Sequence, residues 1–434
     1  MNIFLSFMIP LLSLWPWESI GPEGGEVSAV LQSSQNTDIL YAYSGDFPSQ
    51  VIKSIDGGST WTVISYFDNG TPYDMVMTAS GKLVAVGFNR VWVSDDDGVT
   101  WGSSYYMNTI FNDAVAHPVN GDEIFAIGSK AIGSWNMTFF HSTDGGVVWD
   151  EFELISSTNH SYGDCIDISP SNPDIILVGG EEIGPSSYIP FLFLSTDGGA
   201  FFSDVTPPAA FYENAISGVG IHPTHPDTML AGTYSGVYRT LDGAANWTKM
   251  QDQPYSYDIS FSEINTDLVL STSSWHIHRS SDCGASWSTS SAGLTGSNIY
   301  WVVPDAVNSS IAYTGSNTGF FHSSDGGITW SLQNSGLLAG RIIAMEYVNG
   351  YIFMSMKNMG LFRSEEGPSA MWETISVPAS FQDMCDIESN GGDTLLALEG
   401  TCFGSAELFR STDGGSVWTS IDNYYENGYD LVHG

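Results

Sequence analysis

The sequence predicts an all-β protein folded as a single large β-propeller of about nine four-stranded blades, or ten with the last one incomplete. Three observations predict this fold. An eight-residue pattern recurs at spacings of 40 to 53 residues, which is the length of one propeller blade. The segments between copies are short apolar or alternating runs, as in strands. Glycine is abundant, with 47 residues, as in turn-rich β proteins.

We call the recurring pattern Ser/Thr-x-Asp-x-Gly-x-x-Trp a box. It is complete at residues 54–61, 94–101, 142–149, 280–287, 323–330 and 411–418. It is degenerate at residues 195–202, which end in Phe202, at residues 240–247, where Ala244 replaces glycine, and at residues 364–372, which carry Glu366 and one extra residue.

The box has the chemistry of a tight turn between two strands. Its carboxylate can accept backbone N–H groups within the turn, glycine supplies a positive φ, and tryptophan buries a large apolar area where the next strand begins. Eight of the 14 tryptophans occupy this one position, which is typical of core residues. We therefore predict structural roles for Asp56, Trp61, Asp96, Trp101, Asp144, Trp149, Asp197, Asp242, Trp247, Asp282, Trp287, Asp325, Trp330, Asp413 and Trp418.

These boxes resemble the Asp-box, or bacterial neuraminidase repeat, superfamily. Its members include sialidases, xyloglucan-active glycoside hydrolases, the sortilin ectodomain and photosystem assembly factors. The resemblance covers residues 17 to about 425. It implies a β-propeller, but it leaves the function open because one fold hosts many activities.

The ends of the chain bear on how the repeats are organised. Residues 1–16 are apolar and are interpreted as a signal peptide, residues 17–425 as one propeller, and residues 426–434 as a tail or the start of a further blade. Trp17–Ile20 matches Trp372–Ile375, so we expect the N-terminus to add an outer strand to the last blade. Because nine repeats do not divide into two seven-bladed rings, one domain is favoured.

Composition restricts the partners. The chain has 49 acidic but only 11 basic residues, a net charge of -38, so nucleic acid is excluded as a ligand. No later segment is long and apolar enough to span a membrane. We expect a secreted or cell-surface monomer. Cys385 and Cys402 share one repeat and either form a disulfide or remain small buried thiols.

An aspartate recurs at the entry to the predicted inner strands, on the face opposite the boxes. It is found at Asp74, Asp113, Asp164, Asp258, Asp383 and Asp430, with Asn214 and Arg341 at matching places. These side chains either form a carboxylate ring at the channel mouth, where crowding raises their pKa values, or cap a repeated turn.

The loops on the same face are rich in aromatic residues, which can stack on sugar rings. We predict ligand-binding roles for Trp135, Tyr162, Tyr188, Tyr212, Tyr257, Trp275, Trp301 and Arg341. If the protein is a hydrolase, the candidate catalytic carboxylates are Asp113, Asp164, Glu181 and Glu182.

Two function classes follow. The favoured one is a non-catalytic propeller that binds glycans or extracellular protein or peptide ligands, as resemblance to sortilin would imply. The alternative is a xyloglucanase-like glycoside hydrolase with an acid/base carboxylate pair. Sialidase activity is not expected, because Arg239, Arg279, Arg363 and Arg410 each precede a box and cannot supply the three-arginine clamp that sialidases use. No cofactor or metal is expected, with Ca²⁺ in the Asp-rich turns as the alternative.

Overall fold

The computed structural model describes residues 23–424, apart from 46–48, 157, 185–186, 209, 211–214, 252–255, 297, 300, 341, 349, 358, 366–371, 378–383, 390–392 and 401–405. The described residues form 36 β-strands and no α-helix. The predicted all-β propeller class is confirmed. The chain divides into two compact units, Gly24–Ala339 and a second made of Met1–Glu23 with Gly340–Gly434.

The unit Gly24–Ala339 contains the first seven repeats. Its strands up to the third box are β1 (Gly24–Gly25), β2 (Ala29–Gln32), β3 (Leu40–Tyr43), β4 (Gln50–Ser54), β5 (Thr62–Tyr66), β6 (Pro72–Met77), β7 (Leu83–Ser94), β8 (Gly102–Ala116), β9 (Ile124–Ile132), β10 (Ser134–Ser142) and β11 (Asp150–Glu153). The later strands are β12 (His160–Ile168), β13 (Ile176–Ile183), β14 (Tyr188–Ser195), β15 (Ser203–Asp204), β16 (Ile216–Ile221), β17 (Met229–Thr233), β18 (Gly236–Thr240), β19 (Thr248–Gln251), β20 (Ile259–Phe261), β21 (Val269–Thr272), β22 (Ile277–Ser280), β23 (Ser288–Thr289), β24 (Val302–Pro304), β25 (Ala312–Ser316), β26 (Gly319–Ser323), β27 (Ser331–Leu332) and β28 (Leu338–Ala339).

Five blades of this unit are separate four-stranded antiparallel sheets, β2–β5, β12–β15, β16–β19, β20–β23 and β24–β27. The second and third blades share one six-stranded sheet, β6–β11. Residues 83–87 of β7 pair with β6, whereas residues 90–93 pair with the start of β8, and Asn89 between them has φ +56°. The end of β8 pairs with β9. Thus β7 supplies the second and third strands of the second blade. β8 supplies the fourth strand of that blade and the first strand of the third blade.

Packing between the first and seventh blades closes this unit into a ring. One core cluster combines residues of both blades, and within it the rings of Trp61 and Phe320 lie 4.7 Å apart. The side-chain amide of Gln32 donates to a carboxylate oxygen of Asp305 over 2.7 Å. At the same junction, β1 pairs in parallel with β28. Gly24–Ala339 is therefore a closed seven-bladed propeller.

The second unit contains the last two described blades. Its strands are β29 (Ile342–Val348), β30 (Tyr351–Met356), β31 (Gly360–Glu365), β32 (Glu373–Thr374), β33 (Met384–Ser389), β34 (Leu395–Gly400), β35 (Ala406–Ser411) and β36 (Thr419–Tyr424). They form two four-stranded antiparallel sheets, and a core cluster that includes Phe353, Phe409 and Trp418 packs between them.

This division corrects the expectation of one ring with nine or ten blades. The physical reason is that the seventh blade buries its free face against the first, so the ring closes within Gly24–Ala339. The segments expected at the ends, residues 1–16, Trp17–Ile20 and 426–434, lie outside the described residues, as do the side chains of Cys385 and Cys402. Among the described cysteines, Cys165 and Cys283 are free thiols.

The boxes make the turn that their residue types predict. In the first box, the Gly58 N–H donates to Ser54 Oγ (2.9 Å), Ser54 Oγ donates to Asp56 Oδ1 (2.8 Å), and the Thr60 N–H donates to the same carboxylate oxygen (2.8 Å). The corresponding three contacts are present in all eight boxes whose turns the structure describes. The box aspartates therefore have a structural role, which is to stabilise the turns.

Hydrogen bonding in the boxes favours the ionised carboxylates. Partial desolvation acts to raise the pKa of Asp325, but hydrogen bonds from Thr329 and Ser323 outweigh it and lower the pKa to about 2. The pKa values of the box aspartates Asp56, Asp96, Asp197, Asp242, Asp282 and Asp413 are lowered as well. These charges stabilise the fold at neutral pH.

Within the described part of the chain, no helix is long and apolar enough to cross a membrane.

Candidate functional site

The innermost strands of the seven-bladed ring surround a central cavity of about 460 Å³. Its wall includes four of the repeated aspartates, Asp74, Asp113, Asp164 and Asp258. A second cavity of about 280 Å³ shares Asp113 and Asp258 in its wall. The predicted gathering of these carboxylates in the channel is therefore present for the described members. Asp383, Asp430, Asn214 and Arg341 have side chains outside the described residues.

Three of these four carboxylates join adjacent blades. Each accepts a backbone N–H from the innermost strand of the next blade: Asp74 from Ala114 (3.1 Å), Asp113 from Ile166 (2.9 Å) and Asp258 from Val302 (2.9 Å). These three aspartates therefore line the channel as a carboxylate ring and also make a structural contact. The structural contact lies between blades and is not the turn cap considered for the sequence.

Burial in the channel wall disfavours the charged form of these groups. It raises the pKa of Asp258 to about 6 and that of Asp74 above its ordinary range. Burial, with the neighbouring charge of Asp74 as a further cause, raises the pKa of Asp113 well above its ordinary value. A fifth carboxylate, Asp167, accepts the Ile221 N–H (2.7 Å), and burial raises its pKa to about 7.

Asp164 differs from the other channel aspartates. Among the described residues, none donates a hydrogen bond to its carboxylate, although it lies in the channel wall where β12 bulges between Gly163 and Cys165. Burial and the nearby charge of Glu181 raise the pKa of Asp164 to about 8. Its proton is therefore retained at neutral pH.

Glu181 is the partner of Asp164 in this arrangement. It lies on β13, directly opposite Tyr162 of β12 in the antiparallel register. Desolvation raises the pKa of Glu181 to about 7, and none of the described residues donates a hydrogen bond to its carboxylate. The adjacent Glu182 behaves differently, because its carboxylate accepts a hydrogen bond from the Asn159 side chain (2.6 Å). The charge of Glu181 thus acts on Asp164, whereas Glu182 is hydrogen-bonded to Asn159.

Tyrosines flank this carboxylate pair. Burial and the charges of Glu181 and Asp164 raise the pKa of Tyr162, and Tyr188 also interacts with it. Tyr188, which is 43% exposed, begins β14, whereas the fourth box follows the other end of that strand. The pair and its tyrosines therefore lie on the face opposite the boxes, as the sequence predicted for ligand residues.

The other predicted ligand residues are distributed differently. Tyr257 and Trp301 line the central cavity, whereas Trp275 is 64% exposed on the sixth blade and is not part of the cavity wall. Trp135 is the second residue of β10 in the third blade. Tyr212 lies outside the described residues, like Arg341.

Sequence reasoning missed Asp167. A signal for Asp167 was present, because this carboxylate stands between the apolar residues Ile166 and Ile168 of an inner strand. Within the described ranges, no three His, Cys, Asp or Glu side chains are grouped to hold a metal ion. The expectations about cofactors and Ca²⁺ stay predictions.

Comparisons with curated proteins point to xyloglucanases. The chain is 22% identical to a xyloglucanase of a Paenibacillus species in an alignment that covers 90% of this chain and 49% of that protein. It is 25% identical to a probable oligoxyloglucan-reducing end-specific xyloglucanase of Neosartorya fischeri over 35% of this chain and 19% of that protein. The chain thus spans about half the length of the Paenibacillus protein, and no family model matches it.

Solved structures support the fold. An ancestral GH74 enzyme aligns with 93% of this chain and 63% of its own, with a TM-score of 0.71 and 14% identity. The extracellular domain of a two-component system protein from B. thetaiotaomicron aligns with 90% of this chain and 51% of its own, with a TM-score of 0.52 and 12% identity. The chain therefore shares the β-propeller fold of these proteins.

Proposed function

We propose that this chain is an extracellular glycoside hydrolase that acts on a xyloglucan-type β-glucan, with Asp164 and Glu181 as its acid and base. The observation that carries the proposal is a pair of carboxyl groups that accept no hydrogen bond from the described residues and whose pKa values are about 8 and about 7. Structural carboxylates elsewhere in the molecule accept hydrogen bonds, as Asp56 does from Thr60. Groups left free and perturbed in this way are typical of catalytic sites.

The pair has the protonation states that glycoside hydrolysis requires. One carboxyl group must donate a proton to the leaving oxygen, while the second must be ionised to activate water or attack the sugar. Asp164, with the higher pKa, is protonated at neutral pH and is assigned as the acid. Glu181 ionises first and is assigned as the base or nucleophile.

The comparisons favour this hypothesis over the binding module that the sequence favoured. The two curated relatives are xyloglucanases, and one alignment covers nine-tenths of this chain. An uncharged substrate also suits a protein with 49 acidic and 11 basic residues, since polyanions would be repelled. Such polysaccharides are met outside the cell, which supports the proposed location.

Reducing-end release from soluble xyloglucan tests the assignment. Asp164→Asn and Glu181→Gln are each expected to lower kcat at least about 100-fold, because each removes one partner of the proton transfer. Asp204→Asn is the matched control, since Asp204 is an exposed carboxylate on the outer strand of the same blade and accepts a hydrogen bond from Thr206. Full activity in the first two variants would contradict the assignment. Binding of xyloglucan by wild type without any release would favour the binding-module hypothesis.

A further inference from the structure

The third strand of each blade carries a core residue two places before its box, and the sixth repeat departs from this rule. In eight of the nine repeats the residue is aliphatic or aromatic and packs in or against a core cluster. These eight are Ile52, Trp92, Phe140, Phe193, Tyr238, Phe321, Phe362 and Phe409. The sixth repeat has His278 at this position. A repeat that breaks its own packing rule is expected at a functional site.

His278 is buried without hydrogen bonds. Its side chain is 6% exposed, and neither ring nitrogen has a partner among the described residues. In the strand register it stands opposite Ser271 and Thr289. The hydroxyl of Ser271 is hydrogen-bonded to that of Ser256 (2.7 Å) and not to the imidazole. Burial of two unpaired ring nitrogens destabilises the fold, so the position favours histidine only if a ligand binds it.

A second imidazole adjoins this buried one. His276 lies immediately before β22, two residues from His278, and in extended chain such side chains share one side. The two ring centroids are 6.2 Å apart. His276 is exposed, and its carbonyl oxygen accepts the Ser273 N–H (2.8 Å) and the Ser273 hydroxyl (3.2 Å), which fix its backbone. The pair therefore connects the surface to the unpaired nitrogens of His278.

Two neighbouring imidazoles suit a transition-metal ion. Neutral imidazole nitrogen is a preferred ligand of Zn²⁺, Ni²⁺ and Cu²⁺, whereas Ca²⁺ prefers oxygen. Because each nitrogen–zinc bond is about 2.0–2.1 Å long, two rings on one ion have centroids roughly 5–6 Å apart. A small rotation of the exposed His276 ring would meet this condition. The other coordination positions of the ion are left to water or to a bound ligand, so the site does not require a third side chain.

We propose that His276 and His278 bind one divalent transition-metal ion on the sixth blade, at the end of β22 that points away from the boxes. The ion would supply the partner that the ring of His278 lacks among the described residues. This site lies on a different blade from Asp164 and Glu181, and the proposal does not rest on the proposed function.

Calorimetric titration of the chelator-treated protein with Zn²⁺ tests the proposal. Excess Ca²⁺ is present throughout, so that surface carboxylates do not contribute to the signal. Wild type is expected to bind one Zn²⁺. His276→Ala and His278→Phe should each weaken this binding at least about tenfold, since loss of a ligand costs at least as much as loss of an outer-shell partner.

His225→Ala is the matched control. His225 is also exposed beside a buried histidine, His222, with 4.9 Å between the ring centroids. In that pair, however, Nδ1 of His222 accepts the N–H groups of Thr224 and His225, and Nδ1 of His225 is hydrogen-bonded to the Thr224 hydroxyl. Zinc binding should therefore be unchanged in His225→Ala.

Thermal unfolding separates metal binding from packing. Zinc should raise the unfolding temperature of wild type, because it binds the folded protein. His278→Phe should unfold at a higher temperature than wild type without metal and gain nothing from Zn²⁺. Absence of zinc binding by wild type, equal affinity in wild type and both site variants, or loss of binding in His225→Ala would overturn the proposal. If xyloglucan is never cleaved but zinc binding follows the expected pattern, the metal site stands and the assignment of hydrolysis fails.

Discussion

Replacing Asp164 with asparagine is expected to stabilise the protein in alkaline solution. The pKa of Asp164 is about 8 in the folded protein, against an ordinary value of 3.8. As the pH rises from about 4 to 8, the unfolded chain loses this proton while the folded chain retains it. The stability contributed by this group is therefore fully present below pH 4 and is lost as the pH rises through 8.

The magnitude follows from the two pKa values. A difference of one pKa unit corresponds to about 1.4 kcal/mol, so ionisation of Asp164 lowers the free energy of unfolding by about 6 kcal/mol above pH 8. Asparagine does not ionise, and the carboxylate that it replaces accepts no hydrogen bond from the described residues. The variant is therefore expected to match wild type at pH 4 and to exceed its stability by several kcal/mol at pH 9.

Urea unfolding followed by tryptophan fluorescence from pH 4 to pH 9 measures this effect. Asp325→Asn supplies a control of opposite sign, because the pKa of Asp325 is lowered to about 2. Its charge stabilises the fold above the ordinary pKa, and that contribution is lost as the pH falls through 2. The control should therefore be less stable than wild type at pH 7. Identical pH profiles for wild type and Asp164→Asn would refute the reasoning.

Three further substitutions test the structural account by chemical denaturation. His278 is buried with both ring nitrogens lacking partners among the described residues, at the box-relative position that Phe321 holds in the next blade. His278→Phe should therefore stabilise by about 1–2 kcal/mol, and a loss would contradict this. Ala244 has φ +69°, so Ala244→Gly should stabilise by about 0.5–1 kcal/mol; an unchanged midpoint would argue against strain there. Gln32→Ala removes the contact with Asp305 and should lower the free energy of unfolding by about 1–3 kcal/mol. An unchanged free energy of unfolding would show that ring closure does not depend on this contact.

The sequence predicted the blades well because their information is local. Box spacing and the residue types within each box define a turn, and the contacts of Asp56 with Ser54 and Thr60 are those that the motif predicts. Ring closure is not local. It depends on which blade meets the first one, and the contact of Trp61 with Phe320 is invisible in a motif that every blade shares.

The candidate site was only partly predictable for a similar reason. The repeat placed Asp113 and Asp164 at the channel, as the structure has them. However, the sequence could not distinguish Asp164, which lacks hydrogen-bond donors among the described residues, from Asp113, which accepts the Ile166 N–H of the next blade.

The pH dependence of xyloglucan hydrolysis tests the central claim most directly, that Asp164 and Glu181 are an acid and a base with separately raised pKa values. With the pKa of Glu181 at about 7 and that of Asp164 at about 8, kcat/KM of wild type should be bell-shaped with its maximum between these values. Asp164→Asn should remove the alkaline limb together with most of the rate. An optimum near pH 5, or an alkaline limb that persists in Asp164→Asn, would contradict the account.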